Sequence, residues 1–95
     1  MSAISDLPVV AYRLSVAGED PDYLESVGYD IHGNAQWAVR SNGMCLSRLL
    51  EWDREPAPSS SLRTAEWYRQ HRFTSPEEGL MFWQRYQTKI ANDNR

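Results

Sequence analysis

The chain changes its hydrophobic rhythm at a proline-serine segment, and that change limits the folds open to it. Before Glu55-Pro56-Ala57-Pro58-Ser59-Ser60-Ser61 apolar side chains tend to recur at every second position; after it they recur three and four apart. A period of two gives a strand one buried face, a period near 3.6 does the same for a helix, and neither pattern serves the other. The two prolines block regular pairing and the serines offer helix N-caps. Residues 56–61 therefore read as a linker between a sheet half of about 9–55 and a helical half of about 62–91. With 95 residues in all there is room for one core, so both halves form a single domain spanning 1–95.

In the first half, Val10, Tyr12, Leu14 and Val16 alternate with smaller or polar residues, which predicts a strand over Val9 to Val16. Gly18 to Asp22 reads as an exposed acidic loop, followed by a second extended run near Ser26 to His32 and a turn at Gly33-Asn34. Trp37 and Val39 mark a third strand. Asn42-Gly43 is the strongest hairpin signal, since both residues tolerate the positive φ of a type I′ turn. Met44 to Trp52 fits a helical face through Leu46, Leu49 and Leu50 or a strand returning from that turn; the strand is the expectation.

Beyond the linker, Leu62, Ala65 and Tyr68 share one face of a short helix reaching about His71. Ser75-Pro76-Glu77-Glu78 then sets a helix start: a Ser cap, Pro at the first position and Glu at the third. Gly79, Phe82, Trp83, Tyr86 and Ile90 form its apolar stripe, Met81 lies off it, and Asn92-Asp93-Asn94 ends it. The expected fold is α+β: a three- or four-stranded antiparallel meander followed by two helices packed on one face. Trp37, Trp52, Trp67 and Trp83 are almost evenly spaced, but two fall in extended and two in helical segments, so the rhythm measures element length rather than duplication.

The net charge of −3 is unevenly spread. Up to Val39 six acids face Arg13 alone; from Arg40 onward nine bases face seven acids. The longest apolar runs fall far short of the roughly 20 residues that span a bilayer, and the N-terminus has no secretory pattern, so a cytoplasmic protein is expected. One cysteine builds no internal disulfide. No paired Cys or His spacing marks a metal site, Glu19 to Asp30 lacks the ligand pattern of a calcium loop, and no cofactor motif is present. Cys45 with His32 or His71 could in principle be a nucleophile and base, and Asp30 with His32 would share one strand face; neither comes with further catalytic signals, and no enzyme is expected.

The run Gly43-Met44-Cys45-Leu46, Glu51-Trp52, Glu55-Pro56, Pro58-Ser59-Ser60, Arg72-Phe73 and Ser75-Pro76-Glu77-Glu78 resembles a pattern of small uncharacterised proteins of bacteria and their phages. The resemblance implies a short antiparallel sheet followed by one or two helices and carries no known activity. That pattern has a glycine just before the Glu-Trp pair where this chain has Leu50, which argues against a tight turn at that point.

One surface stands out. With Leu62, Ala65 and Tyr68 inward, Trp67 projects to the other side in a row with Arg63 and His71, and Arg69 and Arg72 lie nearby. Trp and Arg are frequent interface anchors, and the same mixture stacks bases and holds phosphates. A rotated helix would instead make Trp67 core. The expected function is a non-catalytic interaction or regulatory module with a protein partner, one version being a phage-type inhibitor that sets Glu19, Asp20 and Asp22 against a basic groove of a nucleic-acid-processing complex. The alternative is a nucleic-acid-binding protein using Arg63, Trp67, Arg69, His71 and Arg72.

Overall fold

The computed structural model describes residues 11–14 and 21–93. Five strands follow one another as an antiparallel meander: β1 (Ala11–Arg13), β2 (Tyr23–Tyr29), β3 (Ala35–Ser41), β4 (Met44–Leu46) and β5 (Trp52–Arg54), succeeded by α1 (Ala65–His71) and α2 (Pro76–Asp93). The expected α+β plan forms, with one strand more than expected because Met44–Trp52 divides into β4, a turn and the start of β5. Of the strand expected over Val9 to Val16, Ala11–Arg13 is strand; Val9, Val10, Ser15 and Val16 lie outside the described residues, as do Gly18, Glu19 and Asp20 of the acidic loop and Asn94.

Local chemistry explains each turn. Asn42 and Gly43 take φ of 50° and 79°, the left-handed pair that closes β3 onto β4 with Ser41 opposite Met44. Between β2 and β3 the Asp30 carboxylate accepts from the amides of His32 and Asn34, while Asn34 Nδ2 donates to its second oxygen. Asp30 and His32 thus lie in or beside the turn, and the expected face-sharing pair on a strand does not form. From β4 to β5 the chain does turn tightly: Ser47 Oγ accepts from the amides of Leu49 and Glu51, and Leu50 takes a φ of 63°. The turn forms without the glycine because that hydroxyl and the Leu50 amide bond to Ser47 O hold it, at a cost of roughly 1 kcal/mol for the left-handed leucine.

Residues opposite each other in an antiparallel ladder share a face, and neighbours along a strand alternate. Tyr12 and Leu24 pair with Val39 on one face, where Leu46 opposite Trp52 joins them; Arg40, Cys45 and Asp53 line the other. The first face is apolar. Leu24, Val39, Leu46 and Phe73 are its buried centre, ringed by Leu14, Trp37, Trp52, Phe82, Trp83 and Tyr86. Helix α2 supplies the last three. Its cap is as expected: Ser75 Oγ accepts from Glu78 N, although the Glu78 carboxylate reaches one residue further back, to Thr74 N. Gly79 lets α2 come close, since a Cβ there would lie 2.5 Å from Leu24 Cδ1.

The register refines the expected one-face packing of the helices. Phe73 exchanges both backbone hydrogen bonds with Trp37 at 2.7 and 2.8 Å, extending the sheet beyond the end of β4. Its ring enters the apolar core beside α2, whereas the preceding residues Arg72 and His71 reach Glu55 and Asp53. Phe73 is therefore where the chain passes from one face of the sheet to the other, and α1 meets the face opposite α2. In consequence α1 does not bury Leu62, Ala65 and Tyr68: Leu62 is 69% exposed, Ala65 is exposed, and the cap is Thr64, whose hydroxyl accepts from Trp67 N, rather than one of the serines.

Candidate functional site

The charged face of the sheet is organised by Glu55, which follows β5 directly. Arg40 on β3 donates Nε to Glu55 Oε1 at 2.8 Å and Nη2 to Oε2 at 2.5 Å, and its Nη1 reaches Glu25 on β2 at 2.9 Å. Arg63, ahead of α1, donates to the same Glu55 Oε2 at 3.0 Å and clamps Pro56 O through Nε and Nη2 at 2.9 and 2.7 Å. Arg72, beyond α1, donates to that oxygen as well at 3.3 Å. One carboxylate oxygen thus serves three guanidiniums. Two of them are sealed in, Arg63 and Arg72 leaving 9% and 4% of their side chains exposed, while Arg40 keeps 31%.

Burial alone would raise the Glu55 carboxyl, but the Arg40 hydrogen bond and the attraction of Arg72, Arg40 and Arg63 outweigh it and hold the group below its ordinary value. Burial lowers Arg72, against the pull of Glu55 and with the repulsion of Arg40 and Arg63. The opposite result at Arg40 has a plain cause: two carboxylates bond it and overcome its desolvation. The cluster is a desolvated set in which positive charge outnumbers negative.

Trp67 is flanked by this set. The guanidiniums of Arg63 and Arg72 each lie 4.7 Å from its ring, and His71 stacks on it at 4.8 Å. His71 in turn spans two acceptors, Trp67 O through Nδ1 and Asp53 Oδ2 through Nε2, both at 2.8 Å. Four of the residues singled out in the sequence, Arg63, Trp67, His71 and Arg72, are therefore brought together, largely facing the sheet. Arg69 stands apart, paired with Glu66 on the exposed side of α1. Asp22 accepts from Trp83 Nε1 at 2.8 Å; Glu19 and Asp20 lie outside the described residues. Cys45 is fully buried, its thiol pushed up to about 11 by burial and by the carboxylates of Glu55 and Asp53, so it stays protonated at neutral pH.

Two hollows open on this side. One, of about 690 Å³, lies between β2–β3 and the Glu55–Arg63 segment and is lined by Val27, Gln36, Arg40, Pro56, Tyr68 and Arg72 among others. The second, of about 1100 Å³, runs from the β2–β3 turn to α1, with Ile31, Ala65, Tyr68, Gln70 and Phe73 on its walls. Tyr29 borders both. Tyr29 and Ile31 are 74% and 95% exposed. The turn that carries Ile31 is fixed by the Asp30 and Asn34 side-chain bonds together with backbone bonds Asp30 N to Asn34 O and Gly33 N to Asp30 O. The Asn34 and His32 hydrogen bonds lower Asp30 despite its small desolvation.

Sequence reasoning missed Glu55, Arg40, Tyr29 and Gln36. Glu55 sits at the junction of the sheet half and what reads as a linker, and the roles of Arg40 and Gln36 follow only from which face β3 turns toward α1. Among the described residues no group of three or more His, Cys, Asp or Glu could hold a metal ion, and no helix is long and apolar enough to cross a membrane. No protein-family model matches this chain, and no curated protein or solved structure matches it.

Proposed function

We propose that this chain is a non-catalytic interaction module that engages a protein partner through the tip of the β2–β3 hairpin and the groove beside it. The observation that carries this reading is Ile31, 95% exposed on a turn held by five hydrogen bonds. A lone exposed apolar residue is ordinary. Here Ile31 is joined by Tyr29 at the edge of a groove containing Ala65 and Tyr68, and the turn is shaped before any partner arrives, which reduces the ordering cost of binding. Gln70 Oε1, also on the groove lining, is a buried oxygen with no hydrogen-bond partner among the described residues, while its Nε2 donates to Glu66. A partner donor entering the groove would relieve that deficit.

The complementary surface is an apolar pocket that receives Ile31, rimmed by polar groups for the groove. Photocrosslinking from position 31 identifies the protein, and Ile31→Asp abolishes its binding while leaving the thermal midpoint unchanged. Binding of that protein undiminished by Ile31→Asp sinks the reading. Nucleic-acid binding through Arg63, Trp67, Arg69, His71 and Arg72 has less support, because Arg63 and Arg72 turn inward onto Glu55. Retardation of a single-stranded oligonucleotide at low salt that disappears with Arg69→Ala would favour it instead.

A further inference from the structure

The smaller hollow has the composition of a ligand site rather than of a solvated surface. Its walls combine Val27, Met44, Pro56 and Pro58 with the rings of Tyr29 and Tyr68. The charged groups on its lining are three guanidiniums, Arg40, Arg63 and Arg72, against the single carboxylate of Glu55. Counting Glu25, which holds Arg40 from outside the lining, and assigning Asp53 to its own partner His71, the three guanidiniums keep one positive charge in excess of the carboxylates bonded to them. That excess lies where burial already disfavours charge, as the lowering of Arg72 records. Neutral polar groups are available there too: among the described residues neither the Tyr29 and Tyr68 hydroxyls nor the Gln36 amide makes a hydrogen bond with another residue. Apolar walls, a few unengaged polar groups and one unbalanced charge are what a small, specific site requires.

We propose that this hollow binds a carboxylate carried on a small apolar body, the carboxylate bonding to Arg40 at the surface of the cluster and the body lying between Tyr29, Val27 and Tyr68. Arg40 is the contact because it is the most exposed of the three guanidiniums; Arg63 and Arg72 act behind it by adding field. A carboxylate suits the site better than a phosphate dianion, since one negative charge matches the excess. The hollow shares Tyr29 and Tyr68 with the groove beside the hairpin tip, but the proposal does not rest on that reading, and Ile31→Asp leaves it untouched.

The carboxylate has two sources, a free organic acid or an acidic side chain of a peptide segment. Four probes separate them: phenylacetate against phenylacetamide, and the capped tripeptide Leu-Glu-Leu against Leu-Gln-Leu, each titrated by nuclear magnetic resonance of the arginine Nε–H and indole signals. At least one acid binds more tightly than its amide by roughly tenfold, the scale of a charge-assisted hydrogen bond, and added salt weakens it. Binding of phenylacetate points to a free acid; binding of the Leu-Glu-Leu peptide alone points to a peptide segment. Arg40→Gln removes the preference for acid over amide. Glu25→Gln frees Arg40 Nη1 and raises the affinity several-fold, a gain that a misfolded variant cannot produce. Equal binding of acid and amide, absence of binding by both acids at low salt, or an affinity unmoved by Glu25→Gln overturns the proposal.

Discussion

The two faces of one small sheet are held by different forces. On the α2 side Leu24, Val39, Leu46 and Phe73 are buried mainly by apolar contacts, with the Arg48 guanidinium over the Phe73 ring at 5.0 Å, and Gly79 brings the helix close. Such burial needs close packing but no directional bonds, and contributes roughly 1.5–3 kcal/mol per fully buried side chain. On the α1 side the cover is a set of directional bonds that converge on Glu55 and Asp53. Apolar contacts close a gap; charged bonds fix distances and can hold one open. The apolar face makes the domain stable, while the charged face supports two hollows that a hydrocarbon layer would have filled.

The largest effect that tests this contrast comes from Glu55→Ala. It leaves Arg63 and Arg72 buried without their shared acceptor, a loss on the order of 4 kcal/mol, read as a lower urea midpoint. Leu46→Ala, on the opposite face, costs about 3 kcal/mol through lost transfer energy and a cavity. Acid distinguishes the two. Because Glu55 is held below its ordinary value of 4.5, its contribution is complete above that pH and is lost as pH falls through the folded value. Wild type and Leu46→Ala therefore weaken together in acid, whereas Glu55→Ala has already lost this part. Glu78, also lowered by its bonds to Arg48 and Thr74 against its burial, declines equally in all three. A gap between wild type and Glu55→Ala that stays constant from pH 7 to about pH 3 would show that the charged face is held by something other than Glu55.

A gain of stability should come from Leu50→Gly. The turn between β4 and β5 holds a leucine at a φ of 63°, and glycine removes that strain for about 1 kcal/mol, less its own extra chain entropy. The melting midpoint rises by a few degrees, on the order of 4 °C. A fall instead would mean that the Leu50 side chain packs well enough to outweigh its backbone. Unlike Glu55→Ala, this substitution changes neither face, so the arginine Nε–H spectrum stays as in wild type.

The elements that sequence made legible are those whose cause is local. Asn42-Gly43 and Ser75-Pro76-Glu77-Glu78 set a turn and a helix start from four residues or fewer, and the structure places both where the pattern does. The stripe of α2 is equally local, since Gly79 is buried and Phe82, Trp83 and Tyr86 pack against the core. The orientation of α1 was not legible, because seven residues with two arginines nearby have no apolar face wide enough to determine a rotation. It is set by Asp53 and Glu55, which lie 18 and 17 residues from the His71 and Arg72 they hold. The Asp30 turn was hidden for another reason: alternating residues look like a strand until a carboxylate turns back onto its own backbone.

Arg69 supplies the smallest expected effect and the strictest test of the contrast. It belongs to the same helix as His71 and lies close in sequence to Arg63 and Arg72, so by composition the four form one basic group. Position separates them. Arg69 bonds Glu66 three residues earlier, both side chains well exposed, where water and salt screen the pair and its loss is expected to leave stability unchanged within measurement. Arg63, 9% exposed and bonded to both Glu55 and Pro56 O, should cost far more when cut to alanine. Urea titrations of Arg63→Ala and Arg69→Ala at low and high salt compare them directly. A large, salt-resistant loss for Arg63→Ala and none for Arg69→Ala means that desolvation around Glu55, rather than positive charge on the helical segment, orders this face. Equal losses would reduce both to ordinary surface pairs and remove the reason the cluster retains an unbalanced charge.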